Sequence, residues 1–230
     1  MTLHRFFVDP VDARGDRFAI PPSIARQVRT VLRLGEGDRI VLLTGDGTEA
    51  RCRIAGNDCL VEERRPSTAE PSHRLSVVQA LLKGDALEEV VQRATEVGVA
   101  GFRLALAERC VGRELSPRRL DRLRAIAREA AEQSERGVVP EIHPPAPLGS
   151  LLAPGSVLLY ERADADPRLG ELDPPSVIVV GPEGGFTPAE VARARQAGVT
   201  VAGLGPRILR SQTVAPVAAA LVLSRTGDFA

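Results

Sequence analysis

The chain is poor in the residue types that announce most specialised chemistries. Its three cysteines, Cys52, Cys59 and Cys110, are an odd number with no Cys-x-x-Cys spacing, and its three histidines, His4, His73 and His143, are scattered. That pattern excludes a disulfide framework and offers no zinc site, so no metal is expected and the thiols read as small buried hydrophobes. No stretch approaches the roughly 18 apolar residues of a membrane span, and the opening "MTLHRFFVDP" has no apolar signal core. The expectation is a cytoplasmic protein with no membrane partner. Neither sign of charge is in excess: 30 basic residues stand against 30 acidic ones, so the whole-molecule field gives no push toward nucleic acid. Contacts with phosphate then depend on local patches. Those patches are of arginine, since Lys83 is the single lysine, and guanidinium grips phosphate bidentately.

The common nucleotide and hydrolase motifs are missing as well. There is no Gly-x-x-x-x-Gly-Lys-Ser/Thr loop, no Gly-x-Gly-x-x-Gly fingerprint and no Gly-x-Ser-x-Gly elbow. ATP hydrolysis, standard dinucleotide binding and serine-nucleophile hydrolysis therefore have no candidate residues. Internal repeats and low-complexity tracts are absent too.

What is present divides into two parts. Up to about residue 70, short apolar runs such as Arg39–Leu43 and Glu49–Ile54 alternate with turn clusters "GEGD", "TGDGT" and "AGND", which is the pattern of strands and hairpins. One helix interrupts them over Pro22–Leu34, with Ile24, Val28, Val31 and Leu32 on a single face. A small β-barrel with one helix is expected for residues 1–70. "ERRPSTAEPSHR", Glu63 to Arg74, is polar, carries two prolines and reads as a linker.

From residue 71 to 230 strands and helices alternate, which argues α/β with a mostly parallel sheet. Leu75–Leu82, Phe102–Ala107, Val157–Tyr160, Val177–Val180 and Thr200–Leu204 read as strands. Asp85 to Glu88 fits a capping box, Gly98 ends the helix behind it, and Ser116-Pro117 opens an arginine-rich helix. Ala215–Ser224 is a last, very apolar helix, for which Ser211 or Thr213 is the expected cap.

The residues with chemistry lie in two glycine loops. In "VIVVGPEGGFTPAE", Thr187 as N-cap, Pro188 as first helical residue and Glu190 three residues after the cap fix the helix start. Gly181, Gly184 and Gly185 then fall at a strand's C-terminal end, where open α/β sheets bind ligands and glycine lets a ligand approach the backbone. "GLGPRILRSQTVAP" repeats the design with Gly203, Gly205 and Pro206, adding Arg207, Arg210 and Ser211-Gln212-Thr213. If the two preceding strands are neighbours, the loops enclose one pocket.

"GPEGGFTPAE" followed by "LGPRILRSQT" resembles the signature of the RsmE family of 16S rRNA uridine-N3 methyltransferases, of the SPOUT superfamily. The likeness extends through "QRATEVGV" (Gln92–Val99), "ERC" (Glu108–Cys110) and "EQSERGVVPEI" (Glu132–Ile142). "RFFV" and "VLRLGEGDRIVLLTGDG" at the N-terminal end are similar to the family's PUA-like RNA-binding barrel. The resemblance implies a homodimer with S-adenosylmethionine in a deep C-terminal trefoil knot, acting on 16S rRNA of the small ribosomal subunit. It further implies that Tyr160, Gly181, Pro182, Glu183, Gly184, Gly185, Leu204, Gly205, Pro206, Arg207, Ile208, Leu209, Ser211 and Thr213 hold the cofactor. Gln212 stands where the family has Glu, Val214 where Ala is usual, and Glu135 where Gly is common. Arg136, Arg210 and Gln212 are the candidates for the reaction itself, with an arginine stabilising the uridine anion. Arg5, Arg26, Arg29 and Arg33 in the barrel, with Lys83, Arg93, Arg109 and Arg113 beyond it, are the candidate RNA contacts. Two other readings stay open: an RNA-binding protein that keeps the fold without catalysis, which Gln212 permits, and a small-molecule enzyme using the loops for a phosphorylated ligand.

Overall fold

Two compact units make up the chain in a computed structural model that describes residues 3–112, 114–163 and 166–229. The first runs to Glu70 and also takes in Ala131–Val139, which the sequence division assigns to the second part. Hydrophobic packing explains the addition. Ala131 is fully buried with Phe7, Val41 and Leu43, and Val139 packs on the same cluster. The second unit comprises Pro71–Ala130 and Pro140–Ala230.

The first unit contains β1 (His4–Phe7), β2 (Arg17–Ala19), α1 (Pro22–Arg26), β3 (Arg39–Leu43), β4 (Thr48–Ala55) and β5 (Asp58–Pro66). They form one five-stranded sheet ordered β1-β3-β4-β5-β2, in which only the β1–β3 pair is parallel. Among the described residues no ladder joins β1 to β2, so backbone pairing does not close the expected barrel. Its core gathers Phe6, Ile24, Val28, Ile40, Leu42, Cys52, Ile54 and Cys59. The helix differs from the expected regular one. After Arg26 it widens into a π turn over Gln27–Val31, with the Leu32 N–H reaching the Gln27 carbonyl at 2.9 Å. The extra residue in the turn rotates Val31 off the buried face, leaving it 64% exposed. β5 also claims Glu63–Pro66 from the expected linker, because those residues pair with Thr48–Arg51.

The second unit contains β6 (Ser76–Ala80), α2 (Ala86–Val97), β7 (Gly101–Leu106), α3 (Pro117–Gln133), β8 (Glu141–Pro147), α4 (Leu148–Leu151), β9 (Val157–Leu159), β10 (Val177–Val180), α5 (Pro188–Gln196), β11 (Thr200–Ala202) and α6 (Ser211–Ser224). α3 carries on into the residues grouped with the first unit. The six strands are all parallel, in the order β11-β9-β10-β6-β7-β8. Continuous apolar runs suit strands covered on both faces, and β9 and most of β10 are buried. β8 had no signal in its sequence, since it carries three prolines; as the last strand in the order it loses little by lacking those N–H donors.

Helix ends show where local spacing suffices. Thr187 Oγ1 accepts from the Glu190 N–H at 3.2 Å while Glu190 Oε2 accepts from the Thr187 N–H at 2.8 Å, completing the expected capping box. Ser116 Oγ likewise accepts from the Arg119 N–H, and Gly98 closes α2 at φ +112°. The Asp85 box does not form, because Glu88 faces Arg119 across 2.9 and 3.1 Å contacts. Nor do Ser211 and Thr213 cap α6; Arg210 is its cap residue, and Ser211 already lies in the first turn. No described helix is long and apolar enough to cross a membrane.

Candidate functional site

Parallel strands align their C-terminal ends along one edge of the sheet, and loops from three of them meet at that edge. A cavity of about 640 Å³ opens there, within the range of sites for small ligands. Its walls are Leu159 to Arg162 from the end of β9, Val180 to Phe186 from the end of β10, and Leu204 with Gly205 and Arg207 to Gln212 after β11, plus Ala86 and Val214. The condition that β10 and β11 be neighbours is not met, because β9 lies between them, yet the two loops still line one cavity. Two strand spacings of about 4.8 Å therefore separate the glycine loops, and the β9 loop supplies the third wall.

The Gly181–Phe186 loop is held from several sides. The Gly185 N–H bonds the Pro182 carbonyl at 2.9 Å, making a tight turn that ends at φ +67°, where a side chain would be strained. Phe186 is buried under Gly181, whose missing Cβ would stand 3.2 Å from the ring. Glu183 Oε1 accepts from the Lys83 N–H at 2.9 Å. Arg109 reaches over the loop and donates to the Gly184 carbonyl at 2.8 Å. Its neighbour Glu108 gives its N–H to Glu190 Oε1 at 2.8 Å and takes a 2.8 Å contact from Arg193, which draws its carboxyl below the usual range. The Glu108-Arg109-Cys110 segment thus ties the end of β7 to the loop and to the start of α5. Cys110 is buried in that corner, and burial raises its thiol pKa, which favours the neutral thiol.

Most of the residues expected at the cofactor line this cavity: Tyr160, Gly181, Pro182, Glu183, Gly184, Gly185, Leu204, Gly205, Arg207, Ile208, Leu209 and Ser211. Pro206 and Thr213 do not. Arg210 and Gln212 line it too. Pro216 inside α6 has no N–H to offer the Gln212 carbonyl, which is left for another donor. Arg136 is elsewhere. It belongs to the first unit, 2% exposed, with Nη2 and Nε contacting Glu70 at 2.9 and 3.3 Å. Glu70 also accepts from the Gly137 and Val138 N–H groups, both at 3.0 Å, so this arginine pins a loop. The glycine pattern missed Leu159, Glu161, Arg162, Val180, Phe186, Ala86 and Val214. Glu161 and Arg162 were within reach of a different signal, their place directly after a buried strand.

The expected RNA contacts divide. Arg5 is a correction, since its guanidinium is 10% exposed and bonded to Glu49 at 2.5 Å and to Glu135 at 2.8 Å. Arg29 is half-buried and spends its donors on the Leu34 and Gly56 carbonyls. Arg26 and Arg33 are exposed in the first unit, and Lys83 is exposed in the second. Arg93 is exposed and paired with Glu89 at 3.3 Å, and Arg109 is the loop brace described above. Arg113 falls outside the described residues. Among those residues no group of His, Cys, Asp and Glu is arranged to hold a metal ion.

A family model described as an RNA methyltransferase domain matches residues 69–223, and one described as an RNA methyltransferase PUA domain matches residues 28–61. The chain is 32% identical over 250 residues to the ribosomal RNA small subunit methyltransferase E of Bacillus subtilis strain 168, with 96% of each covered. It is 33% identical over 236 residues to the protein of that name from Mycobacterium bovis, covering 95% of this chain and 90% of the relative. The fold matches a crystal structure of ribosomal RNA small subunit methyltransferase E from Neisseria gonorrhoeae bound to S-adenosyl methionine. The TM-score is 0.88 at 27% identity, with 97% of this chain and 98% of that one covered.

Proposed function

The chain belongs to the ribosomal RNA small subunit methyltransferase E family, and on that premise we propose that it methylates N3 of a uridine in 16S rRNA, using S-adenosylmethionine. One observation carries this reading: a single cavity joins the Gly181–Phe186 and Leu204–Gln212 loops to the end of β9. The residues present fit the cofactor. Leu159, Val180, Leu204, Ile208 and Leu209 offer apolar walls for an adenine ring, the glycines expose backbone donors and acceptors, and Glu161, Arg207 and Arg210 supply charge for the methionyl end.

When bound, S-adenosylmethionine supplies a methyl group on a sulfonium, which is open to in-line attack by a nucleophile. Neutral uridine carries a proton on N3, so the nitrogen becomes a nucleophile only as that proton leaves. On this reading Arg210, which is exposed and lines the cavity, stabilises the resulting uridine anion, and Gln212 can accept or donate a hydrogen bond but not take the proton. A part for Arg136 would require its pairing with Glu70 to open. N3 lies on the pairing edge of the base, so the uridine enters unpaired or flipped out.

On the same reading the C-terminal loops are threaded as the family's trefoil knot, the protein is cytoplasmic, and it acts as a homodimer. The apolar α6, whose Val217 and Leu221 are exposed one turn apart, supports a helical partner surface. The two parts of the chain divide the labour, residues 1–70 binding RNA as a PUA-like domain and 71–230 carrying the transfer. Arg26, Arg33, Lys83 and Arg93 are the remaining described candidates for phosphate. The test is transfer from radiolabelled S-adenosylmethionine to small ribosomal subunits lacking this methyl group, followed by nucleoside analysis. Label in 3-methyluridine is expected. A protein that binds cofactor and subunit but transfers nothing would be the non-catalytic RNA binder instead.

A further inference from the structure

Among the described residues, the carboxylates around the cavity are spoken for, with one exception. Glu183 accepts from the Lys83 N–H, Glu190 from the Thr187 and Glu108 N–H groups, and Glu108 holds Arg193. Glu161 lines the cavity directly after β9, yet no hydrogen bond or ion pair engages it among the described residues. Arg162 is beside it in sequence and also lines the cavity, but the two do not pair.

The Glu161 carboxylate lies over the glycine loop. A Cβ at Gly185 would stand 3.0 Å from Glu161 Cδ and 3.1 Å from Oε2, so the absence of a side chain at Gly185 is what leaves it this room. A carboxylate without a partner at the wall of a cavity is available to whatever enters. The nucleoside part of S-adenosylmethionine is neutral, whereas its methionyl end carries a sulfonium, an ammonium and a carboxylate and so keeps a net positive charge.

We propose that Glu161 is the anionic contact for the cationic methionyl end of the cofactor. The inference rests on the S-adenosylmethionine reading and deepens it, naming the residue that recognises the positive charge. Placing a carboxylate on the β9 loop leaves the backbone of the other two loops free to hold the nucleoside. Glu161 is exposed, so solvent screens the pair, and such a contact changes affinity by about two- to fivefold.

Calorimetric titration of the full chain with S-adenosylmethionine and with 5′-methylthioadenosine separates the possibilities, because the second ligand keeps the nucleoside and sulfur but has no positive charge. Glu161→Gln is expected to weaken S-adenosylmethionine by about two- to fivefold and to leave 5′-methylthioadenosine unchanged, with Glu161→Asp in between. The salt dependence of S-adenosylmethionine binding should also flatten in Glu161→Gln. Equal weakening of both ligands would overturn the proposal in favour of a contact to the ribose or to the loop shape. No change with either ligand would overturn it as well. A wild-type chain that binds neither would refute the cofactor reading itself, and the inference with it.

Discussion

Arg109 is the most informative residue to perturb, because two roles for it make opposite predictions. As an exposed arginine it resembles a phosphate contact, but its guanidinium donates to the Gly184 carbonyl at 2.8 Å, and its stem lies 3.2 Å from where a Gly184 Cβ would be. Removing a hydrogen bond from a charged donor costs roughly 1.5 to 3 kcal/mol, and the exposure of this one puts it at the lower end. A loop free to leave its bound shape passes that cost to the ligand, so Arg109→Ala should raise the Kd for S-adenosylmethionine by about tenfold. Arg109→Lys should recover part of the loss, since an ammonium can reach the carbonyl but lacks the planar fork. Calorimetry with the cofactor and filter binding with RNA across a salt series measure both roles in the same preparations. Unchanged cofactor affinity, together with weaker RNA binding and a salt slope reduced by about one, would refute the brace and make Arg109 a phosphate contact.

Glu49 is buried between Arg5 and Arg65; burial raises its carboxyl pKa, but hydrogen bonds from the two arginines outweigh that and hold it below the usual range. Its contribution is therefore complete above the unfolded value of about 4.3 and is lost as pH falls through the lower folded value. Glu49→Gln should cost about 3 kcal/mol in urea unfolding at pH 7, and the gap from wild type should narrow in acid. Thr187→Ala removes one half of the capping box and should cost about 1 kcal/mol, visible as a lower urea midpoint, without abolishing cofactor binding. Gly98→Ala would place a methyl 2.6 Å from Pro71 Cγ at φ +112°, and a loss above about 1 kcal/mol is expected in the same assay. Cys52, Cys59 and Cys110 are all buried, so a thiol reagent should label none of them in the native protein and all three in denaturant.

Features that depend on a few neighbouring residues were legible in the sequence. The Thr187-to-Glu190 box, the Val177–Val180 strand and the glycine stop at Gly98 appear as read, because each is settled by bonds or sterics within about one helical turn. The two glycine loops were found the same way, since glycine after a buried strand is a local mark, whereas the individual cofactor-site candidates came from the family resemblance. Tertiary structure decided what depended on distant partners. Asp85 and Glu88 have the spacing of a cap, but Arg119 takes the Glu88 carboxylate; Arg5 has the look of a surface cation, but Glu49 and Glu135 hold it. Strand order is just as non-local: β9 separates the strands behind the glycine loops, which brings Glu161 into the cavity without any glycine to announce it. Likewise Ala131–Val139 joins the first unit through contacts with Phe7, Val41 and Leu43 that no spacing reveals. A sequence specifies the short-range bonds each segment can make, whereas pairing across the chain is settled only when whole elements compete for the same buried charge, strand edge or apolar surface.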